Sequence, residues 1–161
     1  MEQQYLKSRL LYAPKSGLFY WIKPPANHSE LFGEQAGTAQ DAEKPYHVIQ
    51  VDGVKYKRSR LAFLYVTGSF PLHCIDHING NSLDDRWENL REATVMQNAW
   101  NHKGRSKKSD LPMGVRTNAS GRYAARIGVN GKQIQIGTFE TVAQASEAYL
   151  AARRKYFGQF A

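Results

Sequence analysis

The sequence predicts an α+β chain: N-terminal β-hairpins and a short helix lead into a strand-turn-strand-helix segment, and a three-stranded antiparallel sheet packed on one helix follows. Three observations carry this prediction. Turn residues at 14–17, Asp52-Gly53 and Asn130-Gly131 each separate two alternating apolar runs, the pattern of hairpins. Thr94 and Thr141 each open a stretch with helical spacing. Between these parts lies HKGRSKKSD, a basic segment without an apolar anchor, which reads as a linker.

In chain order, LLYAPKSGLFYWI is the first hairpin and YHVIQVDGVKYKRS the second. The polar, turn-rich residues 24–45 between them read as loop. Ser59 is placed to cap a short helix, RLAFLYVTG, with Leu61, Leu64 and Tyr65 on one face and Gly68 at its end. Thr94 with Gln97 fits a capping box opening a helix that runs to about His102. After the linker, MGVRTNASGRYAARIGVNGKQIQIGTF reads as three strands with turns at 118–121 and 130–131. The last segment places Val142, Ala145, Tyr149, Ala152 and Tyr156 on one helical face, with Thr141 as N-cap and Gly158 beyond the end. Tyr123, Phe139, Tyr149, Tyr156 and Phe160 are the expected sheet-helix core. The expected divisions are therefore 1–70, 71–102, the linker 103–110, and 111–161.

Composition narrows the function classes. Of 161 residues 42% are hydrophobic, enough for packed cores, and the longest apolar run, LAFLYV, is too short to span a bilayer. No signal-like N-terminus is seen, so a cytoplasmic protein is expected, in the host cytoplasm if phage-encoded. The single cysteine, Cys74, excludes an intramolecular disulfide and any zinc site needing two thiolates; it reads as a small core residue. The net charge of +8 is distributed as +3 over residues 1–70, −3 over 71–101 and +8 over 102–161. Two basic flanks around an acidic centre suggest a polyanion gripped on both sides, with carboxylates needed between.

That centre is CIDHINGNSLDDRWENL. Hydrolysing a phosphodiester requires a base for water, a cation for the leaving oxygen and a geometry that aligns them. His77 carries the side chain that titrates nearest neutrality, and Asp76 offers a hard oxygen to a magnesium-like ion. Neighbours on a regular strand face opposite ways, so the pair can serve one phosphate only at a strand end, and Asn79-Gly80 supplies the turn. Asn89 follows His77 by 12 positions, and Asn98 follows Asn89 by 9. Asp84 and Asp85 read as a solvated turn and as weak ligand candidates, and His73 as structural.

The run DHINGNSLDDRWENLREATVMQNAWN resembles the HNH endonuclease motif, in the variant ending in Asn that occurs in phage and homing enzymes with a ββα-metal fold. Residues 46–73 resemble the segment that precedes the motif in those proteins. The resemblance implies His77 as general base, Asp76 and Asn98 as ligands of one divalent cation (Mg2+, with Mn2+ as substitute), and Asn89 as the residue fixing the His77 loop. It also implies 5′-phosphate and 3′-hydroxyl products. Asn101 and His102, three and four positions after Asn98, compete with it on the same helix face; the spacing from Asn89 favours Asn98. A negative pocket would repel DNA until a cation occupies it, while basic flanks supply affinity independent of chemistry.

The last 48 residues resemble the ethylene-response-factor, or apetala-type, DNA-binding domain through G-V-R, Y-A-A-R-I, N-G-K, I-G-T-F, A-Y-x-A-A and F-G-x-F-A. In that family a three-stranded sheet enters the major groove. Carried over by position, Arg116, Arg126, Gln133, Gln135 and Thr138 are readers of bases and phosphates, and Arg122 and Lys132 phosphate contacts at turns. Arg and Gln suit bidentate readout of guanine and adenine. The linker residues Lys103, Arg105, Lys107 and Lys108 are candidates to lie along a groove or the phosphate backbone. The pattern departs from the family where an indole is expected near Ser120 and at Gln135, and where Arg126 replaces an acid, so the plant target does not transfer.

The sequence is thus read as a metal-dependent, nicking, homing-type endonuclease acting on double-stranded DNA as a monomer or weak dimer. The alternative is a DNA-binding regulator with an inactive nuclease site; RNA-binding motifs are not seen.

Overall fold

In the computed structural model, which describes residues 1–43, 45–101 and 110–161, the aromatic-rich run near the N-terminus folds back on itself. Strands β1 (Leu10–Ala13) and β2 (Leu18–Trp21) pair antiparallel with Leu10 opposite Trp21. Their alternation sends Leu10, Tyr12, Phe19 and Trp21 inward, where Tyr12 and Phe19 stack with centroids 4.7 Å apart. The chain divides into two units, Met1–Asn98 and Ala99–Ala161.

In the first unit, β5 (Tyr46–Val51) and β6 (Val54–Lys57) form the second hairpin across Asp52-Gly53, both with positive φ. Helix α2 (Arg58–Thr67) follows and buries Leu61 and Leu64, ending at a left-handed Gly68. Its start departs from expectation. Lys57 occupies the N-cap without a side-chain bond, and Ser59 lies buried in the first turn, because the helix begins early enough to draw the Arg58 side chain inside.

Two further differences concern short elements. Helix α1 (Gln3–Arg9), absent from the sequence reading, is seven residues long, too short to be stable alone; fully buried Leu6 ties it to the core. The expected loop 24–45 contains a 3₁₀ turn (Ser29–Leu31) and strands β3 (Gln35–Ala36) and β4 (Thr38–Gln40). Neither strand is long enough to show a two-residue period. They form because β2 and β5 offer pairing edges and Ala36 packs into the core.

Strands β7 (Cys74–His77) and β8 (Leu90–Ala93) pair antiparallel, and α3 (Val95–Asn101) follows β8 almost directly. Thr94 and Gln97 exchange the two hydrogen bonds of a capping box at its start, 3.2 and 2.8 Å. This strand-turn-strand-helix order is what sets the candidate site.

In the second unit, β9 (Val115–Thr117), β10 (Tyr123–Val129) and β11 (Lys132–Phe139) form a sheet with β10 central, and α4 (Val142–Phe157) packs against it. A capping box between Thr141 and Gln144 starts α4. The helix buries Ala145, Tyr149 and Phe157, whereas Tyr156, expected in the core, is 40% exposed. Phe157 takes the inward place because its ring stacks on Trp100 at 4.7 Å, and Lys155 Nζ lies 5.8 Å from the Tyr156 ring centroid. Among the described residues no helix is long and apolar enough to cross a membrane.

Candidate active site

His77 ends β7, where pairing with β8 gives way to a turn: Ile78 N–H donates to Asn89 O at 2.9 Å and Gly80 N–H to His77 O at 2.8 Å. The residues after it are shaped by side chains bonding to backbone. Asn79 Oδ1 accepts from Asn81 N–H, and Asn81 Oδ1 from Leu83 N–H. Asn89, 5% exposed, holds this loop from behind. Its Oδ1 accepts from Asn79 N–H at 3.0 Å, and its Nδ2 donates to Asp84 O at 2.7 Å and Asn79 Oδ1 at 3.1 Å.

Asp76, the preceding strand residue, is 3% exposed and sits opposite Arg91. Arg91 Nε donates to its Oδ2 at 2.7 Å, with Nη2 also 2.7 Å away. A buried carboxylate needs a positive partner, and the guanidinium supplies that charge here. Asn98 lies on α3, half-buried, with its backbone N–H donating to Thr94 O. A carboxylate and an amide oxygen are hard donors of the kind magnesium takes in ones and twos, so the residues fit such an ion by donor chemistry. Among the described residues no group of three or more His, Cys, Asp or Glu is placed to hold a metal.

The sequence places Asp84 and Asp85 in a solvated turn; the structure corrects this for Asp85, which is 2% exposed. His77 Nε2 lies 2.8 Å from Asp85 Oδ1. Arg58 Nε donates to Asp85 Oδ2 at 2.6 Å, Arg58 Nη2 to Leu83 O at 3.1 Å, and the Tyr12 hydroxyl to Asp85 O at 2.7 Å. Burial, then the Asp85 charge, raise the Tyr12 hydroxyl well above its ordinary range, so it stays a donor. His47 Nδ1 is 3.8 Å from Asp85 Oδ2, beyond hydrogen-bond reach, and burial followed by the Arg58 charge lowers its pKa. Asp84 instead takes both Nε and Nη2 of Arg86 at 2.8 Å, and these bonds hold its carboxyl down at about 2. The expected open negative pocket is therefore absent among the described residues: Asp76, Asp84, Asp85 and Glu88 each face an arginine.

Arg58, Tyr12 and Arg91 are site residues that the sequence did not single out, whereas Asp85, expected in a solvated turn as a weak ligand candidate, is buried against His77 and Arg58. One signal was available. Arg58 lies three residues before Leu61, on the apolar face of its own helix, and a charge there requires a buried counter-ion.

In the second unit, the register places Arg116 and Thr138 on either side of Ala124, Arg126 opposite Gln135, and Gly128 opposite Gln133. These lie on the sheet face opposite buried Val115, Ala125 and Ile127. A bulge between Ala125 and Arg126 keeps Arg126 and Gln135 outward together. Arg122 is at the edge of the 118–121 turn, 3.8 Å from Glu140, and Lys132 follows the Asn130-Gly131 turn. Lys103, Arg105, Lys107, Lys108 and His102 lie outside the described residues.

Comparison with known proteins bears on the first unit. Residues 56–100 match a family model described as HNH endonuclease. A protein of Acanthamoeba polyphaga mimivirus, described as an uncharacterized HNH endonuclease, is 34% identical over 99 residues, covering 61% of this chain and 51% of the relative. The chain thus spans about half the length of the curated relative it matches. No solved structure matches significantly. The chain contains an HNH endonuclease domain.

Proposed function

We propose that this protein is a metal-dependent endonuclease that hydrolyses one strand of double-stranded DNA at the β7–β8–α3 segment and selects its target with the C-terminal sheet. The observation that carries the reading is His77, fixed at a strand end beside buried Asp76, within the segment that matches the HNH model.

His77 takes the proton of the attacking water. Asp76 and Asn98 hold one divalent cation, Mg2+ with Mn2+ as substitute, which when bound supplies positive charge for the scissile phosphate and the leaving oxygen. Arg91 must yield part of its hold on Asp76 for that. Asn89 keeps the loop after His77 in one conformation, through four hydrogen bonds counting its backbone carbonyl. Arg116, Arg126, Gln133, Gln135 and Thr138 read base edges from one face, while Arg122, Lys132 and the basic stretch Lys103, Arg105, Lys107 and Lys108 contact phosphate, in the manner of the apetala-type domain. One site per chain makes a nick the product; a dimer would be needed for a double-strand cut.

A second reading has one observation in its favour. The Arg91–Asp76 pair neutralises the carboxylate as a decayed metal site would, leaving a DNA-binding regulator.

Genome-wide end mapping distinguishes the two. The full chain is incubated with source DNA in Mg2+, Mn2+ or EDTA and the ends are captured by ligation. Breaks with 5′-phosphate at a recurrent sequence, lost in EDTA, are expected. Recurrent protection without breaks in any metal would favour the regulator.

A further inference from the structure

We infer that Asp85 is the positioning residue for the general base: its carboxylate, held by Arg58 and by the first hairpin, fixes the His77 imidazole as the Nε2–H tautomer, in which Nδ1 is the basic nitrogen. The catalytic part of this statement rests on the nuclease reading of His77; the tautomer part does not.

The chemistry begins with what Asp85 can do. Its Oδ2 lies 2.6 Å from Arg58 Nε, and both side chains are 2% exposed. A carboxylate already accepting from a guanidinium N–H serves as a hydrogen-bond acceptor. The 2.8 Å contact from Oδ1 to His77 Nε2 thus places the proton on Nε2. In the neutral ring Nδ1 is then the basic nitrogen. His47 does not share the same carboxylate, since its Nδ1 stands 3.8 Å from Oδ2, beyond hydrogen-bond reach.

Fixing a ring requires that its partner also be fixed, and here the residues before the motif acquire a purpose. The Tyr12 hydroxyl donates to Asp85 O at 2.7 Å, and Trp87 N–H donates to Pro14 O at 3.0 Å. Between them Gly17 meets the Asp85–Arg86 peptide so closely that a Cβ there would stand 2.4 Å from Arg86 N and Asp85 C. Arg58, the first residue of α2, adds a bond to Leu83 O. Residue 85 is held through its backbone by the hairpin and through its side chain by the helix. Residues 1–70 are thereby the wall against which the base is oriented.

The test reads the proton itself. Full-length protein with ¹⁵N-histidine is examined at pH 8 by long-range ¹H–¹⁵N correlation, with the His77 signals identified by their loss in His77→Gln. Wild type should show Nε2 protonated and Nδ1 unprotonated; an Nδ1–H ring, or an average of the two, overturns the inference. Asp85→Asn leaves Arg58 buried without a counter-charge, so the electroneutral double variant Arg58→Met/Asp85→Asn is measured beside it. Averaged tautomers are expected, with kcat for plasmid nicking lower by on the order of 10–100-fold, the usual cost of losing such a partner, and KM changed less than about twofold. A folded double variant that keeps the Nε2–H tautomer and wild-type kcat overturns the inference. If neither variant folds, the wild-type tautomer alone decides. A wild-type protein with the Nε2–H tautomer but no nicking in any metal would sink the nuclease reading while leaving the Asp85–His77 geometry intact.

Discussion

Replacing Gly17 by alanine probes whether the N-terminal hairpin supports the site. Gly17 has φ +73°, where an L-residue is strained by about 1–2 kcal/mol. The new methyl group would also stand 2.4 Å from Arg86 N and Asp85 C and 2.8 Å from Asp85 O. These are backbone atoms that cannot rotate away, and forcing such an overlap costs about 1–3 kcal/mol more. Together the change is about 2–5 kcal/mol, a large part of a domain's stability. Gly53→Ala is the internal control, because Gly53 has nearly the same φ, +79°, and nothing within 4 Å of a Cβ. It should lose only the strain part. Calorimetry of the full chain at neutral pH gives the answer: for a unit of this size each kcal/mol moves Tm by about 4–8 °C. Gly17→Ala should therefore melt at least about 8 °C below wild type, and clearly below Gly53→Ala. A Tm for Gly17→Ala equal to that of Gly53→Ala would show that the hairpin does not press on residue 85.

Other expectations follow from single contacts. The Arg86 bonds depress the Asp84 pKa from 3.8 to about 2, so the native state holds this carboxylate ionised while the unfolded chain protonates it. Its contribution to stability is complete above pH 3.8 and is lost as the pH falls towards 2; urea midpoints measured across that window should fall less steeply in Asp84→Asn, and an unchanged slope would contradict the assignment. Arg126→Ala should weaken binding to a selected target by about 1–3 kcal/mol and relax preference at one position, as measured by competition binding. Lys132→Ala should instead weaken all sequences alike and lower the salt dependence of log K by about one, whereas an effect confined to one sequence would move Lys132 to the base readers.

Much of this fold is legible in local chemistry. Asp52-Gly53 and Asn130-Gly131 announce hairpins because both positions of the turn take positive φ, and Thr94/Gln97 and Thr141/Gln144 announce helix starts because each pair satisfies orphan backbone donors. The elements that escape reading are those whose stability is tertiary. Strands β3 and β4 have two and three residues, and exist because neighbouring strands and the core receive them. Phe157 displaces Tyr156 because Trp100 stacks on it, a contact between positions far apart in sequence.

The candidate site divides the same way. His77, Asp76, Asn89 and Asn98 stand out by residue type and spacing. Asp85 does not, since its burial depends on Arg58, 27 positions earlier, and on a hairpin near the N-terminus. Two adjacent aspartates in an apparently solvated turn thus have different fates: Asp84 stays with Arg86 near the surface and Asp85 turns inward to His77. The negative charge inferred for residues 71–101 is real in composition, yet arginines compensate most of it locally.

The decisive measurement is conversion of supercoiled plasmid carrying source DNA by the full chain and by His77→Ala, with Mg2+, with Mn2+ and with EDTA. Relaxed circles are expected from wild type in either metal, none in EDTA, and a loss on the order of 10²–10⁴-fold for His77→Ala with DNA binding retained. Equal nicking by wild type and His77→Ala, or sequence-specific binding with no nicking in any metal, would contradict the nuclease reading with His77 as its base.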